Sequence, residues 1–188
     1  MAVPPLFLPE GHIDKALTRA LLGNRRNLED LVNRKQGASG VANEMMRQWE
    51  KFGPTRRVVG IVDDDKKIFD VKYLAGFVQE IRSSRAAEAS HSIRRHTDRP
   101  GQYLVMLAPA CDTWVWQAAV DAGLPPPQYG LPAPRMEFVS YCKSKGKEVG
   151  QDPSMRRLLA DIQRTRPVLF EALAEFVADI MDLDHPLP

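Results

Sequence analysis

Two cysteines, Cys111 and Cys142, are all that 188 residues contain. Neither has a cysteine or histidine partner at ligand spacing, which excludes a disulfide framework and a zinc set and leaves the reduced thiols of a cytosolic protein as the expectation. Long hydrophobic runs are missing too. None approaches the roughly 18 residues of a membrane span, so no membrane partner is expected. The opening Met1-Ala2-Val3-Pro4-Pro5 lacks the basic start and apolar core of a signal peptide. These absences together predict a cytoplasmic location. Charge of one sign is scarce in excess: the net charge of +2 does not by itself indicate a polyanion partner.

What is present is ordinary for a soluble domain with a core, with 44% hydrophobic and 27% charged residues. Leu6-Phe7-Leu8 reads as a short strand and His12 to Leu22 as a helix stopped by Gly23. Leu28 to Asn33 reads as a second short strand. A basic, glycine-containing loop follows from Arg34 to Gly40, with Ser39 as a cap for the next helix. That helix carries Val41, Met45, Trp49 and Phe52 at helical spacing and ends at Gly53-Pro54. Arg57 to Val62 reads as a buried strand. Asp70 to Arg82 has the apolar spacing of a helix, with Leu74, Phe77, Val78 and Ile81 on one face. Ser90 to His96 and Tyr103 to Ala108 read as strands. Asp112 to Ala122 reads as a helix with Asp112 as its cap, and Trp114 and Trp116 on different sides. A proline-rich connector then leads to helices over Arg135 to Lys143, Ser154 to Arg164 and Pro167 to Met181. The alternation predicts an α/β domain, Rossmann-like, with a mostly parallel sheet and a helical C-terminal part from residue 134.

Three carboxylates stand at the end of the strand Val58-Val59-Gly60-Ile61-Val62, followed by Lys66 and Lys67. Open α/β sheets place ligands at the carboxyl ends of their strands. Side chains alternate along a strand, so Asp63 and Asp65 share one side and Asp64 takes the other. Two such carboxylates repel, and a hard cation such as magnesium relieves that repulsion with oxygen ligands. Glu10 follows the first strand. In a parallel sheet it rises at the same edge, where it can serve as a general acid or base. Taken alone, Glu10 reads as a turn residue and Asp14 as a first-turn acid that complements the helix dipole; the pairing with Asp63 and Asp65 shifts that reading.

This pattern resembles the Toprim domain of topoisomerases, bacterial primases and OLD-type nucleases. Leu6-Phe7-Leu8-Pro9-Glu10-Gly11 with Asp14 is similar to its glutamate motif, and Val59-Gly60-Ile61-Val62-Asp63-Asp64-Asp65 to its Asp-x-Asp motif. The resemblance covers residues 6 to about 110 and suggests a Toprim-like domain over 1–133, with a helical extension over 134–188 packed on it. It implies a Mg- (or Mn-) dependent phosphoryl-transfer enzyme, a hydrolase acting as a nuclease on DNA or RNA. Glu10 would be the catalytic acid/base, and Asp63, Asp65 and Asp14 the metal ligands. Pro9 departs from the apolar or small residue usual there. Neither the tyrosine-bearing domain of topoisomerases nor the zinc-binding domain of primases is found. Receivers and haloacid-dehalogenase-like phosphatases fit less well. The later strand ends Leu107-Ala108-Pro109-Ala110 without an aspartate, and Lys66-Lys67 replace the Thr or Val expected after Asp-x-Asp.

Nucleic acid is the partner expected. Arg34 and Lys35 in the glycine-containing loop, and Arg94 and Arg95 in the arginine-rich stretch from Arg82 to Arg99, are the candidate phosphate-binding residues. Arg25 and Arg26 extend the first group. His12, beside Glu10, His91, His96 and His185 lack partners at metal-ligand spacing. A non-catalytic Toprim-like interaction or nucleic-acid-binding module is the alternative. In either case the C-terminal helices are candidates for a homodimer or protein-partner surface.

Overall fold

The short apolar runs become strands of one open sheet, and the amphipathic stretches become helices on both of its faces. A computed structural model describes residues 3–25, 27–65 and 67–182. Met1, Ala2, Arg26, Lys66 and His185, noted above, lie outside the described residues. In chain order the elements are β1 (Leu6–Pro9), α1 (His12–Leu22), the single turn α2 (Leu28–Leu31), α3 (Gly37–Phe52), β2 (Val58–Asp63), β3 (Gln79–Arg85), β4 (Ser90–Arg95), β5 (Gln102–Ala108), α4 (Cys111–Asp121), α5 (Arg135–Lys145), α6 (Pro153–Thr165) and α7 (Val168–Met181). Among the described residues, the strands lie in the order β1-β2-β5-β4-β3. No described helix is long and apolar enough to cross a membrane.

Period-two alternation sorts the core into two layers. Leu6, Leu8, Val58, Val62, Leu104 and Met106 pack with Val41, Ala42 and Met45 of α3. Phe7, Val59, Ile61, Tyr103, Val105 and Leu107 face the other way, toward α1, α4 and the C-terminal helices. Phe138, Leu158, Phe170, Leu173 and Phe176 from α5, α6 and α7 enter that same layer. Gly60 is where α3 comes closest to the sheet: a Cβ there would lie 2.8 Å from Met45 Sδ and 2.9 Å from Val41 Cγ1. Gly60→Ala is therefore expected to destabilise the fold by about 1–3 kcal/mol through overpacking, read as a lower urea midpoint with an unchanged slope.

The α/β expectation holds, and the arrangement is compatible with a Rossmann-like fold. The parallel sheet holds for β1, β2 and β5. It is corrected at the far edge, where β4 runs antiparallel to β5 and β3 antiparallel to β4. The cause is the segment expected to be a helix from Asp70 to Arg82. It forms two short 3-10 turns, Ile68–Asp70 and Leu74–Gly76, and then strand β3. Leu74 and Phe77 do bury as the spacing implied, but under the sheet face that α3 covers. Gly76 lies against the His96 ring, where a Cβ would meet Nε2 at 2.5 Å. Contact with the end of β4 thus turns the chain into a hairpin, and tertiary pairing overrides helical periodicity.

Two further expectations are corrected. Leu28–Leu31 is a helical turn rather than a strand. Strand character survives at Val32, which bridges Phe7 in parallel, with Asn33 N–H donating to Phe7 O and Lys35 N–H to Pro9 O, both at 2.9 Å. The helix α3 begins at Gly37, so Ser39 lies inside its first turn and Gln36 is the N-cap. Pro9 is tolerated because the ladder bonds come from its neighbours, Leu6 donating to Arg57 O and Glu10 to Ile61 O. By alternation the proline nitrogen faces the outer edge, where no ladder bond to β2 is lost.

Candidate active site

The parallel pairing of β1 with β2 and of β2 with β5 carries the acids to one edge. Pro9 lies opposite Ile61, and Asp63 opposite Leu107. Glu10 then leaves β1 at the level where β2 ends. Its Oε2 accepts the Asp63 backbone N–H at 3.2 Å, and its carboxylate also accepts the backbone N–H of Ala38 in the first turn of α3. Glu10 thus sits between the end of β2 and a helix N-terminus, whose dipole favours an anion. Burial still raises its pKa, aided by the charge of Asp65 and opposed by the two backbone bonds.

Asp14 comes from the first turn of α1 and folds back toward β1. Its Oδ2 accepts the Gly11 N–H at 3.0 Å. A Cβ on residue 11 would lie 2.4 Å from that oxygen, so the Glu10-Gly11 pair is what admits the carboxylate. Asp14 is 3% exposed, and its Oδ1 has no hydrogen-bond partner. Burial, then the charges of Asp63 and Glu10, push its pKa up to about 8.

Asp63 Oδ1 accepts the Cys111 N–H at 2.8 Å, so this aspartate supplies the side-chain cap of α4 from a neighbouring strand. The expected cap, Asp112, is corrected. Ala110 is the N-cap residue, and Asp112 lies inside the helix, buried, with Oδ1 accepting the Thr113 N–H at 2.7 Å. Burial, then Glu10, Asp112 and Asp65, push Asp63 up to about 6 despite the capping bond. Asp112 is thus a member of the charge cluster that sequence reasoning assigned to another task.

Asp65 lies exposed just beyond, with Oδ1 accepting the Lys67 N–H at 2.6 Å, and the side chain of Asp64 is likewise exposed. The fold therefore gathers Glu10, Asp14 and Asp63 closely and keeps Asp65 within electrostatic reach. The leading charge effects on these three carboxyls come from other acids. Among the described residues no three of His, Cys, Asp and Glu stand as a ready-made metal-ligating group. The donor chemistry is nevertheless that of a hard cation. All donors are carboxylate oxygens, one of them buried without a partner, and magnesium characteristically uses one or two carboxylates while retaining water.

The candidate phosphate-binding residues divide. Arg34 adjoins the acids, with Nη1 3.5 Å from Glu10 O and 3.3 Å from Lys35 O. Lys35 pairs instead with buried Glu44 at 3.0 Å. Arg94 and Arg95 lie opposite Leu104 and Tyr103, roughly 10–13 Å down β5 from Leu107 at about 3.3 Å per residue. Arg94 lies over the Phe69 ring and Arg95 Nε donates to Gln79. Arg82 pairs with Asp179 of α7 at 2.5 Å, and Arg99 lies over Tyr73. The arginine-rich stretch is thus dispersed into local packing. Trp114 is fully buried, and Trp116 donates from Nε1 to Ala133 O at 3.1 Å.

Cations gather beside the acids at a place sequence reasoning missed. His12, Lys15 and Arg19 of α1, Arg34, and Lys147 and Glu148 of the segment before α6 line a cleft of about 430 Å³. Burial, then Arg34, Lys15 and Lys147, lower the pKa of His12. The spacing of His12, Lys15 and Arg19 along one helix face was legible in the sequence, whereas the approach of Lys147 was not. Comparison with protein-family models, curated proteins and solved structures finds no match to this chain.

Proposed function

We propose that the chain is a Toprim-like, magnesium- or manganese-dependent phosphoryl-transfer enzyme that hydrolyses a phosphodiester of DNA or RNA. The observation that carries this reading is the convergence of Glu10, Asp14 and Asp63 at one sheet edge, with raised carboxyl pKa values and an unpartnered buried Asp14 Oδ1. Proteins bury mutually repelling acids at a net cost in stability, and such groups cluster at functional sites.

Asp63 would hold the cation, with Asp14 behind it and Asp65 at the solvent side. Bound there, the metal supplies Lewis-acid polarisation of a phosphoryl oxygen. The chain's own groups do the rest. Glu10, whose pKa burial raises, delivers its proton to the ester oxygen as the phosphorus–oxygen bond breaks, and its carboxylate then takes up the proton that water releases on bonding to phosphorus. Asp63, fixed by the Cys111 N–H, keeps the α4 N-terminus against the cluster. Arg34 stands at the Glu10 carbonyl, on the approach a phosphate would take.

The test is purified protein with supercoiled plasmid and with single-stranded RNA, in magnesium, manganese or EDTA. Cleavage of one substrate that requires the metal is expected. No cleavage of either substrate with either metal would overturn the reading. A second reading, a non-catalytic Toprim-like nucleic-acid-binding module, is favoured by the use of Asp63 as a helix cap. It expects binding with no turnover under the same conditions.

A further inference from the structure

We propose that the cleft between α1 and residues 146–151, walled by His12, Lys15, Arg34 and Lys147, binds the sugar-phosphate backbone of the nucleic-acid strand whose scissile phosphate lies at Glu10 and Asp63. The inference deepens the phosphoryl-transfer reading and rests on it for the placement of the scissile bond. Three observations carry it. The first is adjacency. His12 is two residues from Glu10, and Arg34 touches the Glu10 carbonyl, so an anion in the cleft is continuous with one at the acids.

The second is charge that the fold leaves in excess. Lys15 and Arg19 share one largely exposed acid, Glu29. Arg34 bonds to backbone carbonyls, and Lys147 has no ion pair among the described residues. Glu148 is the one acid in the lining. The third is the character of the walls. Ala16 is the sole apolar side chain there, and no Phe, Tyr or Trp lines the cleft. A peptide partner would need an apolar or large aromatic anchor, and stacked bases a broad ring platform. Phosphate contact needs neither. At about 1.5 Å of rise per residue, Lys15 to Arg19 spreads positive charge over roughly 6 Å of α1, and Arg34 and Lys147 extend it across the cleft. That suits a run of backbone phosphates better than a single one.

The resulting contact positions the strand without reading sequence. The experiment is fluorescence anisotropy in EDTA, where nothing is cut, with labelled single-stranded DNA and RNA of the same sequence and of a scrambled one. Wild type is compared with Lys15→Ala/Lys147→Ala and with the charge-matched Lys72→Ala/Lys143→Ala, whose lysines lie outside the cleft. The cleft variant is expected to raise Kd roughly tenfold for every sequence and to flatten the log Kd–log salt slope by about 0.7 per lost contact on a single strand. The matched variant should stay near wild type, and all three should melt alike. A DNA arm and an RNA arm that respond differently identify the strand. Equal affinity and slope in wild type and the cleft variant, or no binding by wild type, overturns the proposal. Wild-type cleavage in magnesium is scored separately. Cleavage with an indifferent cleft variant sinks the cleft alone, and cleft-dependent binding without cleavage sinks the nuclease reading alone.

Discussion

Asp63→Asn is expected to abolish metal-dependent cleavage, by about 10³-fold or more, while leaving the fold intact. The amide oxygen of asparagine can still accept the Cys111 N–H, so the cap of α4 persists. What is lost is the negative charge, and with it the group that would hold a cation where charge develops in the transition state. Glu10→Gln should lose about 10²–10⁴-fold, the scale of a general acid. Its neutral side chain keeps an oxygen for the Asp63 and Ala38 N–H groups. Asp64→Asn is the control. Its side chain is exposed, its backbone N–H goes to Leu107 O, and activity should stay within about threefold. Equal activity in wild type and Asp63→Asn would leave the aspartate with a capping role and no more.

The second large effect is on stability, and its sign runs against ordinary experience with acids. Asp14, up to about 8, and Asp63, up to about 6, hold protons in the fold that the unfolded chain has released above about pH 4. The native state therefore binds more protons between about pH 4 and 8, and unfolding free energy falls as pH rises through that window. Asp63 alone, moved from 3.8 to about 6, corresponds to roughly 3 kcal/mol. In a domain of this size that is on the order of 5–10 °C in Tm. In metal-free buffer Tm should drop from pH 5 to pH 8, and Asp14→Asn should flatten the fall and melt higher than wild type at pH 8. Magnesium at about 100 times its Kd should restore about 2.7 kcal/mol at pH 8 in wild type and little in Asp63→Asn. A Tm that climbs from pH 5 to 8 without metal would refute the clustering of unneutralised acids. Glu44 works in the opposite window. Burial opposes its ionisation, but hydrogen bonds from Arg47, Gln48 and Lys35 hold it down at about 2. Its contribution is complete above about 4.5 and is lost as pH falls toward 2.

Much of this was readable before any coordinates. Helix α1 runs over the residues its periodicity indicated, Gly23 closes it, and the strand at 58–63 ends on its acids because a β-branched apolar run is what a doubly covered strand requires. Glu10 and Asp63 were paired on order alone. Apolar spacing misled at 70–82, where Leu74 and Phe77 satisfied a helical face and a sheet-facing turn equally.

The sequence by itself determined the α/β alternation and the strand-end placement of Asp63, because period-two and period-3.6 patterns act over a few residues. The antiparallel hairpin at the far edge, Asp63 as the cap of α4, the burial of Asp14 with its Oδ1 unpartnered, and the meeting of Lys147 with the basic face of α1 were decided by tertiary structure. The last three join residues far apart in the chain through packing or burial, and the hairpin, though local, forms where the sheet offers β4 a partner in β5; local pattern holds no record of which distant surface will exclude water from a side chain.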